Sequence, residues 1–245
     1  MIIFLTSSPT GPLDGSRKVD GLDKKNNFVN ELRKYWKENS RCCIIAANPE
    51  AYFQNDQMCD FFRDVFIKED LTMQCFHLID RRYCHFTKSD LHNYDVIILG
   101  GGHVPTQNHF FQDIQLREKI QGFKGIIIGI SAGSMNSADQ VYCQPEEDGE
   151  AIDPHFKRWI TGLNLTKINL IPHYQMVKDR YLDGMRLYED ITYKDSMNHQ
   201  FIALVDGSYL LIDEHETIYG ESYLISNNHI QLICHENETK DWPII

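Results

Sequence analysis

Residues Gly129-Ile130-Ser131-Ala132-Gly133 spell a Gly-x-Ser-x-Gly segment, and its central hydroxyl is the chain's best candidate for chemistry. A serine hydroxyl is a weak nucleophile until a base removes its proton. It must also stand clear of its own backbone so that a carbonyl can approach. A sharp turn from a strand into a helix presents it that way, and the small residues Gly129, Ala132 and Gly133 let such a turn close. The reaction implied is acyl transfer with Ser131 as nucleophile. Its tetrahedral oxyanion needs N–H donors. The Ala132 N–H, at the start of the expected helix, is one candidate. Gly101 or Gly102, in the run Gly100-Gly101-Gly102, is expected to supply the second, because a glycine backbone approaches a ligand closely.

The nucleophile needs a base, and the base needs an acceptor that fixes its tautomer. Of the eleven histidines, His173 stands out because it follows the apolar run 168–171 and a proline. That places it at a strand end. His103, after the glycine triplet, is a second histidine near the same edge. Asp206 is the favoured acid, since it ends the apolar run 201–205 and a strand end is a rigid platform. Asp206-Gly207 is also a common turn dipeptide. Glu146 and Asp148, in the acidic loop after the elbow, are its rivals.

These residues need a frame. Apolar runs at 2–6, 42–47, 73–79, 96–99 and 125–130 read as strands. Helical spacing is expected over 24–39, around Met58 to Phe66, and over 107–121. Residues 9–23 read as a loop. Continuous apolar strands alternating with helices imply a mostly parallel sheet covered on both faces. Ligands bind beyond the carboxyl ends of such strands, where the glycine triplet and Ser131 fall. The later chain is expected to form a helix over 178–195. Short strands at 201–205, 209–212, 217–220 and 230–234 would then give an antiparallel extension of the same sheet. The 245 residues are expected to form one peptidase domain.

Composition narrows the partners. A formal charge of -11 opposes binding to nucleic acid or anionic lipid. Seven cysteines, an odd number with no CxxC pair, suit reduced thiols and a cytoplasmic location. No segment is long and apolar enough to span a membrane. No His/Cys cluster has metal-ligand spacing, so neither metal nor cofactor is expected.

Four segments, Leu99-Gly100-Gly101-Gly102, Gly129 to Gly133, Ile171-Pro172-His173 and Ala203-Leu204-Val205-Asp206-Gly207, carry a family resemblance. In this order and spacing the chain resembles peptidase family S51, the serine peptidases that include aspartyl dipeptidase (dipeptidase E) and cyanophycinase. The resemblance covers about residues 1–225. It implies a flavodoxin-like fold similar to the class I glutamine amidotransferases, with Ser131 as nucleophile and His173 as general base. It puts the acid at Asp206, where the dipeptidase has Glu, or alternatively near Glu146. His103 departs from the Asn that often follows the family's glycines. The family's substrates carry aspartate, and Arg158, Lys178 and Arg180 are the cations near the expected site. The implied partner is a small peptide, taken by a monomer or homodimer.

Two further readings compete. An α/β-hydrolase esterase would need the order serine, acid, histidine, hence His229 or His235 as base with Asp206 or Asp213. A non-catalytic flavodoxin-like protein would hold phosphate or nucleotide at Gly100 to Gly102. A thiol amidotransferase is disfavoured because the elbow carries serine.

Overall fold

The computed structural model describes residues 1–12, 19 and 21–242. Of the loop expected over 9–23, residues 13–18 and 20 lie outside the described residues. Five strands come first: β1 (Ile2–Thr6), β2 (Ser40–Ile45), β3 (Met73–Ile79), β4 (Val96–Leu99) and β5 (Ile126–Ile130). They lie side by side in the order β1-β5-β4-β2-β3, all parallel. Their side chains alternate between two apolar faces. Phe4, Cys42, Ile44, Ile98 and Ile128 face α1 (Phe28–Tyr35) and α2 (Tyr52–Lys68), packing on Phe28, Leu32, Phe62 and Phe66. Leu5, Cys43, Ile45, Ile97 and Ile127 take the other face. They share a core with Leu91 of α3 (Lys88–His92), Phe110 and Phe111 of α4 (Val104–Asp113), and Leu116 of α5 (Leu116–Lys119). Each such side chain contributes about 1.5–3 kcal/mol by leaving water, so both faces hold the sheet.

Two expected helices are interrupted for local reasons. The segment 107–121 breaks at Gln115, which is left-handed (φ 54°) and divides α4 from α5. The segment 178–195 is not one helix. Asp183 (φ 52°) and Gly184 (φ 80°) make a two-residue turn between β9 (Tyr181–Leu182) and β10 (Met185–Arg186). Asp-Gly favours such a turn over helix continuation. A π-helical turn over Leu187–Thr192 and α8 (Tyr193–Asp195) follow. The apolar spacing is still used, because Leu182, Leu187, Tyr188 and Ile191 are buried together.

The helix α6 (Ala132–Met135) follows β5, and a hairpin of β6 (Gln140–Tyr142) and β7 (Trp159–Thr161) comes after it. The remaining strands are β8 (Asn169–Ile171), β11 (Gln200–Leu204), β12 (Tyr209–Ile212), β13 (Glu216–Tyr219), β14 (Ser222–Ser226), β15 (His229–Cys234) and β16 (Thr239–Trp242). The one-turn α7 (Tyr174–Val177) lies between β8 and β9. The antiparallel extension exists, but only β12, β13 and β16 join the large sheet, beside β1. The others form a second sheet in the order β15-β14-β11-β8. Here β8 and β11 run parallel, with Ile171 opposite Ala203. This corrects the expectation that all the late strands continue one sheet.

Candidate active site

Ser131 turns the chain out of β5 with φ 51° and ψ −112°, a conformation that costs about 1–3 kcal/mol for a residue with a Cβ. The glycines around it explain why the turn fits. A Cβ on Gly129 would lie 2.9 Å from the Ser134 Cα, so Gly129 lets α6 fold back on its own strand. A Cβ on Gly133 would lie 2.3 Å from the Leu99 carbonyl oxygen, so Gly133 lets α6 press on β4. Two hydrogen bonds to Thr6 O at the end of β1 pin the turn: Ser131 N–H at 3.0 Å and Ser134 Oγ at 2.8 Å.

His173 and Asp206 arrive from the second sheet. β8 and β11 are parallel neighbours, so the residues just past their carboxyl ends emerge together. His173 is left-handed (φ 59°) and caps α7. Its Nε2 lies 2.8 Å from Ser131 Oγ and its Nδ1 lies 2.7 Å from Asp206 Oδ1. The Asp206 side chain is fully buried. An ionised carboxylate only accepts, so Nδ1–H donates to Asp206 and Nε2 is left to accept from the serine.

On the other side of Ser131 runs the glycine loop. A Cβ on Gly101 would lie 3.4 Å from the Ser131 Cβ, so that backbone passes close to Ser131. Gly102 (φ 153°) is required, because a Cβ there would meet the Ala47 Cβ at 2.6 Å. Among the described residues, the N–H groups of Gly101, Gly102 and Ala132 donate to no backbone carbonyl.

The other expected residues lie apart from the Ser131–His173 contact. Glu146 makes no hydrogen bond to His173 among the described residues; Asp206 holds that position. Glu146 instead faces the Val104 N–H at the start of α4, and burial pushes its carboxyl up to about 7 against the opposing pull of His103 and His173. Asp148 is exposed. His103 bonds Thr106 Oγ1 and Glu150 Oε1, each at 2.8 Å. Arg158 is 3.5 Å from Asp195 Oδ2, and Arg180 donates to the Glu146 carbonyl at 2.7 Å. Lys178 is exposed, as are His229 and His235, the bases an esterase order would require. Asp213 accepts from Tyr35 Oη at 2.8 Å instead. Burial pushes the Cys143 thiol, in the segment after the elbow, up to about 12, which removes it as a nucleophile.

One group among the described residues has metal-ligand types in reach of one another. The ligand atoms of His103, Glu147 and Glu150 lie within 4.8 Å. Glu150 already takes His103 Nε2 and the N–H groups of Glu146 and Glu147, so the cluster is knitted by its own bonds.

Two more residues bond His173 and Asp206, and neither residue type marks a site in sequence. Ser7 Oγ donates to Asp206 Oδ1 at 2.7 Å and accepts the His173 N–H at 2.8 Å. Gln175 Nε2 donates to Asp206 Oδ2 at 2.6 Å, and the Asp206 N–H donates back to Gln175 Oε1 at 3.1 Å. The position of Ser7, directly beyond the carboxyl end of a central strand, is the one hint available.

Residues 15–219 match the model of peptidase family S51. No curated protein matches the chain. Among solved structures, a peptidase from an acI-B1 actinobacterium aligns with a TM-score of 0.64 and 15% identity, over 98% of this chain and 96% of that one. A candidate peptidase E from Listeria monocytogenes EGD-e aligns with a TM-score of 0.52 and 15% identity, over 95% and 97%. Likeness at that identity shows a shared fold.

Proposed function

The chain belongs to peptidase family S51, and from that premise we propose that it is a serine-type peptidase acting on small peptides through Ser131, His173 and Asp206. One observation carries the reading: the unbroken relay from Ser131 Oγ to His173 Nε2, and from His173 Nδ1 to Asp206 Oδ1, at 2.8 and 2.7 Å.

The Ser131 hydroxyl attacks the scissile carbonyl while His173 Nε2 takes its proton. Asp206 holds the ring in register and stabilises the imidazolium. The Ala132 N–H, with that of Gly101 or Gly102, receives the oxyanion. His173 then protonates the departing amine, leaving an acyl ester on Ser131. Water attacks that ester, gives its proton to His173, and releases the acid with the serine restored. Preference for an N-terminal Asp comes from the family resemblance alone. Arg158 is engaged by Asp195 and Arg180 by the Glu146 carbonyl, but Lys178 and Arg180 are both exposed on the segment after His173 and are the cations offered to such a side chain. All seven cysteines are unpaired, which suits the cytoplasm as the proposed location. No helix of the described residues is long and apolar enough to cross a membrane.

A dipeptide library with Asp-X, Glu-X and isoAsp-X members tests the proposal. Turnover that disappears in both Ser131→Ala and His173→Ala is expected. Turnover surviving in His173→Ala would remove the relay. Failure of every acidic member, with other dipeptides cleaved, would remove the Asp preference alone.

A further inference from the structure

We propose that Ser7 and Gln175 are positioning residues that lock His173 and Asp206 into the geometry Ser131 needs; this rests on the serine-peptidase reading above. The two side chains complete the contacts of one buried carboxylate. Asp206 Oδ1 receives two donors, Ser7 Oγ–H and His173 Nδ1–H, each at 2.7 Å. Asp206 Oδ2 receives Gln175 Nε2–H at 2.6 Å. The Gln175 amide is held the right way round because its Oε1 accepts the Asp206 backbone N–H at 3.1 Å. A flipped amide would set oxygen against carboxylate and N–H against N–H. Both carboxylate oxygens are therefore fixed, and the ring plane of His173 is fixed with them.

Ser7 does a second thing. Its single hydrogen goes to the carboxylate, so its lone pairs are free to accept the His173 N–H at 2.8 Å. That bond restrains the backbone of a residue already in the left-handed region. Ser7 also follows Thr6, which lies opposite Ile130 in the pairing of β1 with β5 and accepts the Ser131 N–H. One hydroxyl thus ties the base and its acid to the strand that pins the nucleophile. Gln175 works from the other side, since it lies on α7, whose cap is His173 itself. Among the described residues the side-chain hydrogen bonds of Ser7 and Gln175 go to His173 and Asp206 and none goes to Ser131, so their action runs through that pair.

The test uses a fluorophosphonate probe, which reports an activated serine without a known substrate. Its rate of labelling Ser131 is followed across pH in the wild-type chain, Ser7→Ala and Gln175→Met. Loss of a hydrogen bond to a charged group is worth about tenfold or more in rate when it is made to the catalytic set. Labelling about tenfold slower, or more, is expected in each variant. The acid limb of the pH–rate profile should also move, because protonation of the imidazole depends on where its anion sits and on how fully that anion is hydrogen-bonded. The downfield proton NMR signal of the His173 Nδ1–H should broaden or vanish. Ser7 is buried and its variant is the more exposed to misfolding; Gln175 is half-buried and supplies a variant expected to fold. Labelling of Gln175→Met within about twofold of wild type overturns the proposal. So does slowed labelling with the acid limb and the NMR signal both in place, which is what a merely structural role would give. If the folded wild-type chain is not labelled at all, the peptidase reading fails instead, and the NMR signal alone decides whether Ser7 and Gln175 hold the pair.

Discussion

Glu146 loses its proton in the folded protein at about 7, against an ordinary value of 4.5. Burial is the main cause, and among the described residues no side-chain cation is bonded to it to compensate. The neighbouring charges are Glu150 on its own loop, His103 before α4, and His173 before α7; the histidines and the Val104 N–H favour the anion, and Glu150 opposes it. Between these two pH values the folded protein holds a proton that the unfolded chain has released. Stability of the wild type must therefore fall as pH rises through the window. At 1.36 kcal/mol per pH unit, the full displacement amounts to about 3 kcal/mol. Glu146→Gln removes the titration while keeping an oxygen for the Val104 N–H. The unfolding free energy of the variant minus that of the wild type should rise by about 3 kcal/mol between about pH 4.5 and about pH 8. Urea unfolding of both proteins at several pH values measures it. The offset at the acid end reports how the amide packs, and only the slope reports ionisation. A difference that stays flat across the window, or that falls with pH, would refute the reasoning.

Asp206→Asn, which keeps the shape but offers a donor where Nδ1–H now donates, should lower peptide turnover by about 10⁴-fold, with circular dichroism unchanged; turnover within tenfold would return the role to Glu146. Gly133→Ala drives a methyl to 2.3 Å from the Leu99 carbonyl oxygen, so thermal unfolding should shift down sharply, whereas Gly149→Ala has no atom within 4 Å of the new methyl and is strained only by its φ of 94°. Asn136→Ala strips partners from the Val104 carbonyl, Gln107 Oε1 and Asn108 Nδ2, all within 3.1 Å; the buried groups left behind should cost about 2–4 kcal/mol in denaturant melts.

The five parallel strands and the elbow were legible because each leaves a local mark. A strand covered on both faces is a continuous apolar run, and the elbow needs glycine where Ser134 and Leu99 press against it. His173 and Asp206 were legible as strand ends. Their sheet was not, since nothing in a short apolar run says which neighbour it pairs with. β8 and β11 read the same whether they extend the large sheet or build another. The helix expected over 178–195 failed at Asp183-Gly184, where turn chemistry outweighed apolar spacing. Glu146 is a rival acid in the sequence because it lies in the acidic loop after the elbow, where the family resemblance puts an alternative acid; only the fold shows its carboxyl turned to Val104. Ser7 and Gln175 were invisible because a hydroxyl and an amide acquire meaning here only from a carboxylate about 199 and 31 positions away.

The proposed nucleophile, Ser131, follows a strand of one sheet, while His173 and Asp206, its proposed base and acid, follow strands of another. On the proposed mechanism catalysis therefore depends on the seam between the two sheets, where Leu5, Ile97 and Ile127 of one share a core with Leu170, Ile202 and Leu204 of the other. A slip of a fraction of an ångström along that seam would stretch the 2.8 Å contact of Ser131 with His173 while every strand stayed paired. Inactivation should then precede the loss of ellipticity, and the gap between the two temperatures would measure how firmly the layers grip.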